Sequence, residues 1–596
     1  MPRTHRVVDH IVERLANAGV SHIFGVDGAN IEDLYDAAHF RPAITAVLAK
    51  HEFSAATMAD GYSRSGAGLG VAAATSGGGA LNLVAGLGES LASRVPVLAL
   101  VGQTPTTMDG HGSFQDTSGR NGSLDAEAVF SAVSVSCERV LRPADIVSAL
   151  PRAIAAARTG GPAVLLLPKD IQQGLVEVRD IEGHCATCNG SGSWSAGSAS
   201  WREPRPVGNL HAIVRALRGA NGPVTIIVGE QVARDDARAE LERLRAVLRA
   251  RVATVPDAKD VAGTPGLGSS SALGVTGVMG HPGVAEAVAA SAVCLVVGTR
   301  LSVTARTGLD DVLASVRTVS IGSAPPYVPC THVHTEDLRG SLRMLTQALS
   351  GPGRPMGVRV PDVLRRTELT PPEYSGPGVR YRDAMAVLDD VVPDGADIVV
   401  DAGNTGASAL HYLPARRGGR FAVALGMGGM GYSFGAGIGM AFGRNNSGRS
   451  GGRTVVVAGD GAFFMHGMEV HTAVQYRLPL TFVLFNNNAH AMCATREQLF
   501  YEGLYSYNRF SSSRLGAGLA AMFPGLTSVD VTDIDEFGTA MRTALELAGP
   551  TVVSVECAAD EIPPFAPFLN GKRSEASGTQ GITTMKENRT NVAASA

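Results

Sequence analysis

An excess of either charge is missing from this sequence: 51 Lys and Arg stand against 55 Asp and Glu, a formal net charge of −4. A balance that close gives no electrostatic case for a nucleic-acid partner or an anionic membrane surface. Cysteine is scarce and odd in number, seven in 596 residues. That argues against a secreted disulfide framework and for a reduced, cytoplasmic setting. Disorder is excluded by the opposite pair of values, 45% hydrophobic and only 18% charged residues. The first twenty residues carry charges throughout and no apolar h-region, so they do not read as a signal peptide. Val8, Ile11, Val12 and Leu15 have helical spacing there and predict a first surface helix. One uncharged run, residues 421–443, is long enough to span a bilayer, but eight of its 23 positions are Gly and no aromatic belt flanks it. It reads as a buried strand, a Gly-rich turn and a buried helix.

What is abundant is glycine, 72 residues clustered in short loops, as suits backbone packed closely on a ligand. Around those loops, short apolar runs alternate with amphipathic stretches, the pattern of parallel α/β sheets. Strands are expected near 23–24, 43–48, 70–74, 97–101 and 163–167, then 224–228, 293–297 and 318–321, then 398–400, 454–457, 481–485 and 551–555. Composition shifts divide the chain into domains at 1–181, 207–350 and 379–562. Linkers fall at 182–206 and 351–378, and a polar tail at 563–596 is expected to be mobile.

The most informative motif is TVVVAGDG at 454–461 followed by TFVLFNNN at 481–488. Each is a β-branched strand ending in polar residues, and Asp460 and Asn487 stand 27 residues apart. Open α/β sheets bind ligands at such strand ends. A carboxylate with a carboxamide suits a hard cation such as Mg²⁺, which fills its octahedron with waters and phosphates. Gly459 and Gly461 allow close approach of backbone N–H groups to a diphosphate.

This GDG…NN unit is that of the thiamine-diphosphate-dependent enzymes, and the chain resembles their acetolactate synthase branch over nearly its whole length. The resemblance implies an α/β fold of three doubly wound parallel-sheet domains: pyrimidine-binding, middle and diphosphate-binding. Glu52, in HEFSAATMADGYSR, matches the catalytic glutamate that hydrogen-bonds N1′ of the aminopyrimidine. Read alone it is also a helix-start carboxylate favoured by the dipole. TSGGGALN (75–82) matches the Gly-rich loop that holds Thr75, and Gly28 belongs to the same cofactor-binding set. Gln103 matches a strand-end amide that could face a substrate carbonyl or satisfy backbone. Phe114 matches a pocket aromatic, with simple core as the other reading. In GMGGMGY (426–432), Gly428 would receive the 4′-amino group and Met430 would wedge the cofactor into its bent shape. Asn404, Thr405, Ala462 and Met492 complete the implied cofactor set, and Ala489 joins Asp460 and Asn487 at the metal.

The sequence departs from the acetolactate synthases in places. Arg496 stands where they place a Trp, and could pair with an acceptor carboxylate or face solvent. His111 in DGHGSFQD is atypical and is taken as a catalytic candidate, ahead of His466, His471 and His490. VVGTR (296–300) and ART (305–307) match FAD contacts of the middle domain only loosely, so FAD is not favoured. HCATC (184–188) offers too few ligands for a closed metal site. The implied activity is decarboxylation of a 2-oxoacid and coupling of the remaining acyl unit to a second carbonyl compound, giving an acetohydroxyacid or acyloin. A decarboxylase releasing an aldehyde is the alternative, and an inactive homologue a third. The family builds its site between two chains, so a homodimer is the minimum and a homotetramer is expected.

Overall fold

A computed structural model describes residues 3–178, 209–262, 272–350, 366–446, 452–504 and 506–569. The N-terminal domain contributes β1 (Arg3–Arg6), β2 (His22–Val26), β3 (Thr45–Leu48), β4 (Gly70–Ala74), β5 (Val97–Gln103), β6 (Ser136–Arg139), β7 (Pro162–Pro168) and β8 (Leu175–Val178). The middle domain has β9 (Val224–Val228), β10 (Arg251–Thr254), β11 (Ala272–Val275), β12 (Val293–Val297), β13 (Arg317–Gly322) and β14 (Thr331–His334). The C-terminal domain has β15 (Asp397–Val400), β16 (Phe421–Val423), β17 (Thr454–Gly459), β18 (Leu480–Asn486), β19 (Thr527–Val531) and β20 (Thr551–Glu556). Each domain holds one six-stranded parallel sheet, in the orders β3-β2-β4-β5-β7-β6, β11-β10-β9-β12-β13-β14 and β16-β15-β17-β18-β20-β19. β1 and β8 pair antiparallel as a separate ribbon. The outer two domains therefore share one topology. In both, the strand order reverses between the first and third strands, β2/β4 and β15/β17, which is where an open sheet leaves a crevice for ligands.

β5, β7 and β18 are buried along their whole length. Helices cover both faces of such sheets, which is why their sequences run apolar without alternation. The uncharged run 421–443 forms β16, a turn and most of helix Tyr432–Asn446, as its glycines predict. That helix packs alongside helix Glu52–Arg64 of the N-terminal domain in the same direction. Any Cβ at Gly435, Gly439 or Gly443 would collide with Thr57, Met58 or Ser65 in turn. Asp60, fully buried, fastens the pair by accepting from Arg64 Nε (2.7 Å), Tyr432 Oη (2.5 Å) and Ser90 Oγ (2.8 Å). One apolar core runs through both outer domains, with Phe53 and Tyr62 from the first and Phe434 and Phe482 from the last.

The tail boundary differs from expectation. Residues 566–569 form a helix, Ala566 N–H donates to Val278 O (2.7 Å), and Phe568 is buried. The 182–206 linker, HCATC and the tail from 570 on lie outside the described residues. No helix among the described residues is long and apolar enough to cross a membrane.

Candidate active site

The N-terminal domain builds one half of the site at its β2/β4 switch point. Glu52 opens the helix after β3, is 8% exposed, and its Oε2 accepts from Asn82 Nδ2 at 2.9 Å. Its Oε1 lies where a side chain on residue 79 would be: a Cβ there would be 2.9 Å away. A side chain at residue 79 would therefore displace the carboxylate. Gly28 lies equally close to Thr75, whose Oγ1 accepts from Asn30 N–H (3.2 Å). Gly28, Glu52 and Thr75 therefore share one crevice edge.

The C-terminal domain builds the other half at its β15/β17 switch point. Asp460 follows β17 and is 1% exposed; Gly461 N–H (3.0 Å) and Ala489 N–H (3.2 Å) donate to its carboxylate. Burial pushes its pKa up to about 6 against the pull of those N–H groups. Asn487 follows β18, and its Oδ1 is buried with no hydrogen-bond partner among the described residues. The same is true of Asn404 Oδ1. Asn404 and Thr405, each 3% exposed, open helix Asn404–Tyr412, and Gly403 precedes them at φ 97°. A helix N-terminus beside a buried carboxylate and two unpartnered amide oxygens suits an anion bridged by a cation.

Between the halves runs the segment 426–433, held by two buried carboxylates. Glu89 of the N-terminal domain accepts from Gly426 N–H (3.1 Å), Met427 N–H (2.6 Å) and Gly428 N–H (3.3 Å). Asp401 at the end of β15 accepts from Gly431 N–H and Ser433 N–H, both at 2.9 Å. Phe53, next to Glu52, lies against Gly429 and stacks on His466 at 4.3 Å. Burial, with His51 alongside, lowers the His466 pKa to about 4. Met430 Cε and His490 Nδ1 both flank Gly461, where a Cβ would be 2.6 Å from the imidazole.

Three family models match the chain. Residues 5–122 match the thiamine pyrophosphate enzyme N-terminal TPP binding domain, 210–349 the central domain and 401–555 the C-terminal TPP binding domain. The chain belongs to the thiamine pyrophosphate enzymes. It is an acetolactate synthase-like member. It is 26% identical over 558 residues to the acetolactate synthase isozyme 2 large subunit of Escherichia coli, covering 91% of this chain and 94% of that one. It is 26% identical over 575 residues to the acetolactate synthase large subunit of Parasynechococcus marenigrum, covering 93% and 88%. A solved structure described as a thiamin diphosphate-dependent enzyme from Mycobacterium smegmatis has the same fold, with TM-score 0.74, 20% identity, and coverage of 93% of this chain and 100% of that one.

The residues present suit thiamine diphosphate: Glu52 would face the pyrimidine end, Gly428 and Met430 the middle, and Asn404, Thr405, Gly459, Asp460 and Asn487 the diphosphate end. Ala462 and Ala489 are buried beside Asp460, and Met492 packs against the core below them. Other expected residues lie apart. Gln103 is 1% exposed and both ends of its amide are engaged: Nε2 donates to Gly102 O (2.7 Å) and Oε1 accepts from Thr117 Oγ1 (2.7 Å). Here it holds its own loop. His111 is exposed and Phe114 is 80% exposed, so the single chain does not bring them into the crevice, and Phe114 is not core. Arg496 is exposed on helix Ala491–Phe500, the solvent-facing reading of that residue.

The middle domain has its own switch point between β9 and β12. Gln231 fills that place, 3% exposed, with Oε1 accepting from Ser323 N–H (2.8 Å) and Cβ against Gly298. Arg300 lies over Tyr327 (4.3 Å) and Arg306 pairs with Asp310 (2.8 Å). Glu89 and Asp401 went unrecognised in the sequence. The available signal was a single acid inside an apolar helix and another ending an apolar strand.

Proposed function

We propose that this enzyme is a Mg²⁺-dependent carboligase that decarboxylates a 2-oxoacid and joins the acyl unit to a second carbonyl compound, giving an acetohydroxyacid or acyloin. What supports the reading is that Glu52 stands at one switch point and the Asp460/Asn487 pair at the matching one, with the 426–433 segment tied to both outer domains through Glu89 and Asp401. Thiamine diphosphate supplies the electron sink that makes the decarboxylation feasible. The chain's residues do the rest. Glu52 would present Oε1 to the aminopyrimidine, with Asn82 fixing the other oxygen. Glu89 and Asp401 fix the backbone whose Gly428 carbonyl would orient the aminopyrimidine, and Met430 would enforce the bend. Asp460 and the free Oδ1 of Asn487 would hold the cation. Coupling is favoured over aldehyde release by the likeness to acetolactate synthases. The middle domain works without FAD, as the Gln231 plug supports.

The enzyme acts as a homodimer or a homotetramer. Supporting this, one chain leaves the large apolar side chains Phe114, Met427, Phe464, Met465 and Met468 exposed. Product analysis tests the function. With cofactor and Mg²⁺, pyruvate alone or paired with an aromatic 2-oxoacid is expected to yield CO₂ and a coupled product. Aldehyde without coupling would shift the assignment to a decarboxylase, and no CO₂ from any pair would overturn it.

A further inference from the structure

Asn487 can serve a cation only through Oδ1, because the other end of its amide is an NH₂ group. Which end faces the crevice is therefore decisive, and a neighbour far away in sequence controls it. Tyr381 opens helix Tyr381–Val391 and is 1% exposed. Its ring stacks on Phe485 of β18, with centroids 5.5 Å apart and planes at 21°. Its hydroxyl accepts from Asn487 Nδ2 at 2.8 Å, which turns Oδ1 the other way. That Oδ1 is the buried, unpartnered oxygen described above.

The tyrosine is itself held from several sides. Its backbone N–H donates to the Glu561 carboxylate at 3.1 and 3.2 Å. The Cys557 thiol lies 3.8 Å from its hydroxyl. Glu561 in turn accepts, at its backbone carbonyl, from Asn404 Nδ2 (3.4 Å). The ring stack, the capped helix start and the thiol leave the hydroxyl little freedom, so the amide inherits a fixed orientation.

We propose that Tyr381 is a positioning residue of the cation site: its hydroxyl holds Nδ2 of Asn487 so that Oδ1 faces the ion shared with Asp460. The inference rests on the Mg²⁺ reading above and adds to it a residue outside the GDG…NN unit. Partners that orient a metal ligand from outside its first sphere commonly matter about 10–100-fold in affinity. Tyr381→Phe keeps the stack on Phe485 and removes only the acceptor, so the amide is released to rotate.

The test is a Mg²⁺ titration of the thiamine-diphosphate-saturated, chelator-stripped protein by calorimetry, for wild type and Tyr381→Phe. The apparent Kd is expected to rise about 10–100-fold. Saturating Mg²⁺ is expected to restore kcat and the melting temperature, which lost packing alone would not allow. Equal Kd values, or a kcat deficit that excess Mg²⁺ leaves in place, would overturn the role of Tyr381. If wild-type protein retains its cofactor equally well after chelation, the cation reading itself fails, which is a different result. A crystal structure of the wild-type Mg²⁺ complex provides a check that needs no variant. It should show Asn487 Oδ1 on the ion and Nδ2 on the Tyr381 hydroxyl. An amide turned the opposite way, or one outside the ion's reach, would contradict the proposal.

Discussion

Removing the Glu89 carboxylate should loosen the cofactor-propping segment while leaving every residue expected to contact the cofactor unsubstituted. In Glu89→Ala, the N–H groups of Gly426, Met427 and Gly428 lose their shared acceptor, and Ser93 Oγ loses its partner at 2.7 Å. Hydrogen bonds to a charged group contribute roughly 1.5–3 kcal/mol each. Only the Met427 bond is short, and Gly426–Gly428 are exposed, so water would replace part of the loss. The expected net cost is about 2–4 kcal/mol. Because the cofactor must then re-order the segment, a cost of about 2 kcal/mol appears as roughly 30-fold weaker thiamine diphosphate binding. Quenching of intrinsic fluorescence during cofactor titration measures it, alongside a thermal melt. Glu89→Gln keeps one acceptor oxygen and should fall between the two. Unchanged affinity and unchanged melting in Glu89→Ala would refute the idea that this carboxylate anchors the segment.

Gly439→Ala places a methyl group against the Met58 carbonyl and should destabilise the protein by about 1–3 kcal/mol or prevent folding; a melting temperature equal to wild type would count against the helix packing. Burial pushes the Glu561 pKa up to about 7 from 4.5, so its neutral form stabilises the fold fully below about pH 4.5 and that contribution is lost as pH rises through 7. Glu561→Gln should therefore match wild type near pH 5 and exceed it by about 2 kcal/mol near pH 8, after discounting for partial exposure; an equal gap at both pH values in denaturant melts would show that no such shift exists. Purified enzyme should show no flavin absorbance, and stoichiometric FAD would contradict the role given to Gln231.

Much of this was legible in the sequence because it is local. β17 and β18 are adjacent, so their end residues Asp460 and Asn487 meet for reasons that strand spacing reveals. The buried strands β5, β7 and β18 were visible as unbroken apolar runs. By contrast β6 and β19 lie at sheet edges and carry polar, half-exposed residues, so nothing in SCER or TSVDV marks a strand. Glu89, Asp401 and Tyr381 act on groups 30 or more residues away. Periodicity carries no trace of such pairings. Phe114 shows the converse: its match was recognisable, but the single chain leaves it, like the atypical His111, at the surface.

The central claim is that Glu52 and the Asp460/Asn487 pair serve the two ends of one thiamine diphosphate. Hydrogen–deuterium exchange at C2 of the bound cofactor, followed by NMR in rapid-quench samples, tests it most directly. Wild-type protein with Mg²⁺ should exchange this proton far faster than free cofactor. Glu52→Gln should bind the cofactor and lose that acceleration, while Asp460→Asn should lose binding. Fast exchange in Glu52→Gln, or unimpaired binding in Asp460→Asn, would contradict the account.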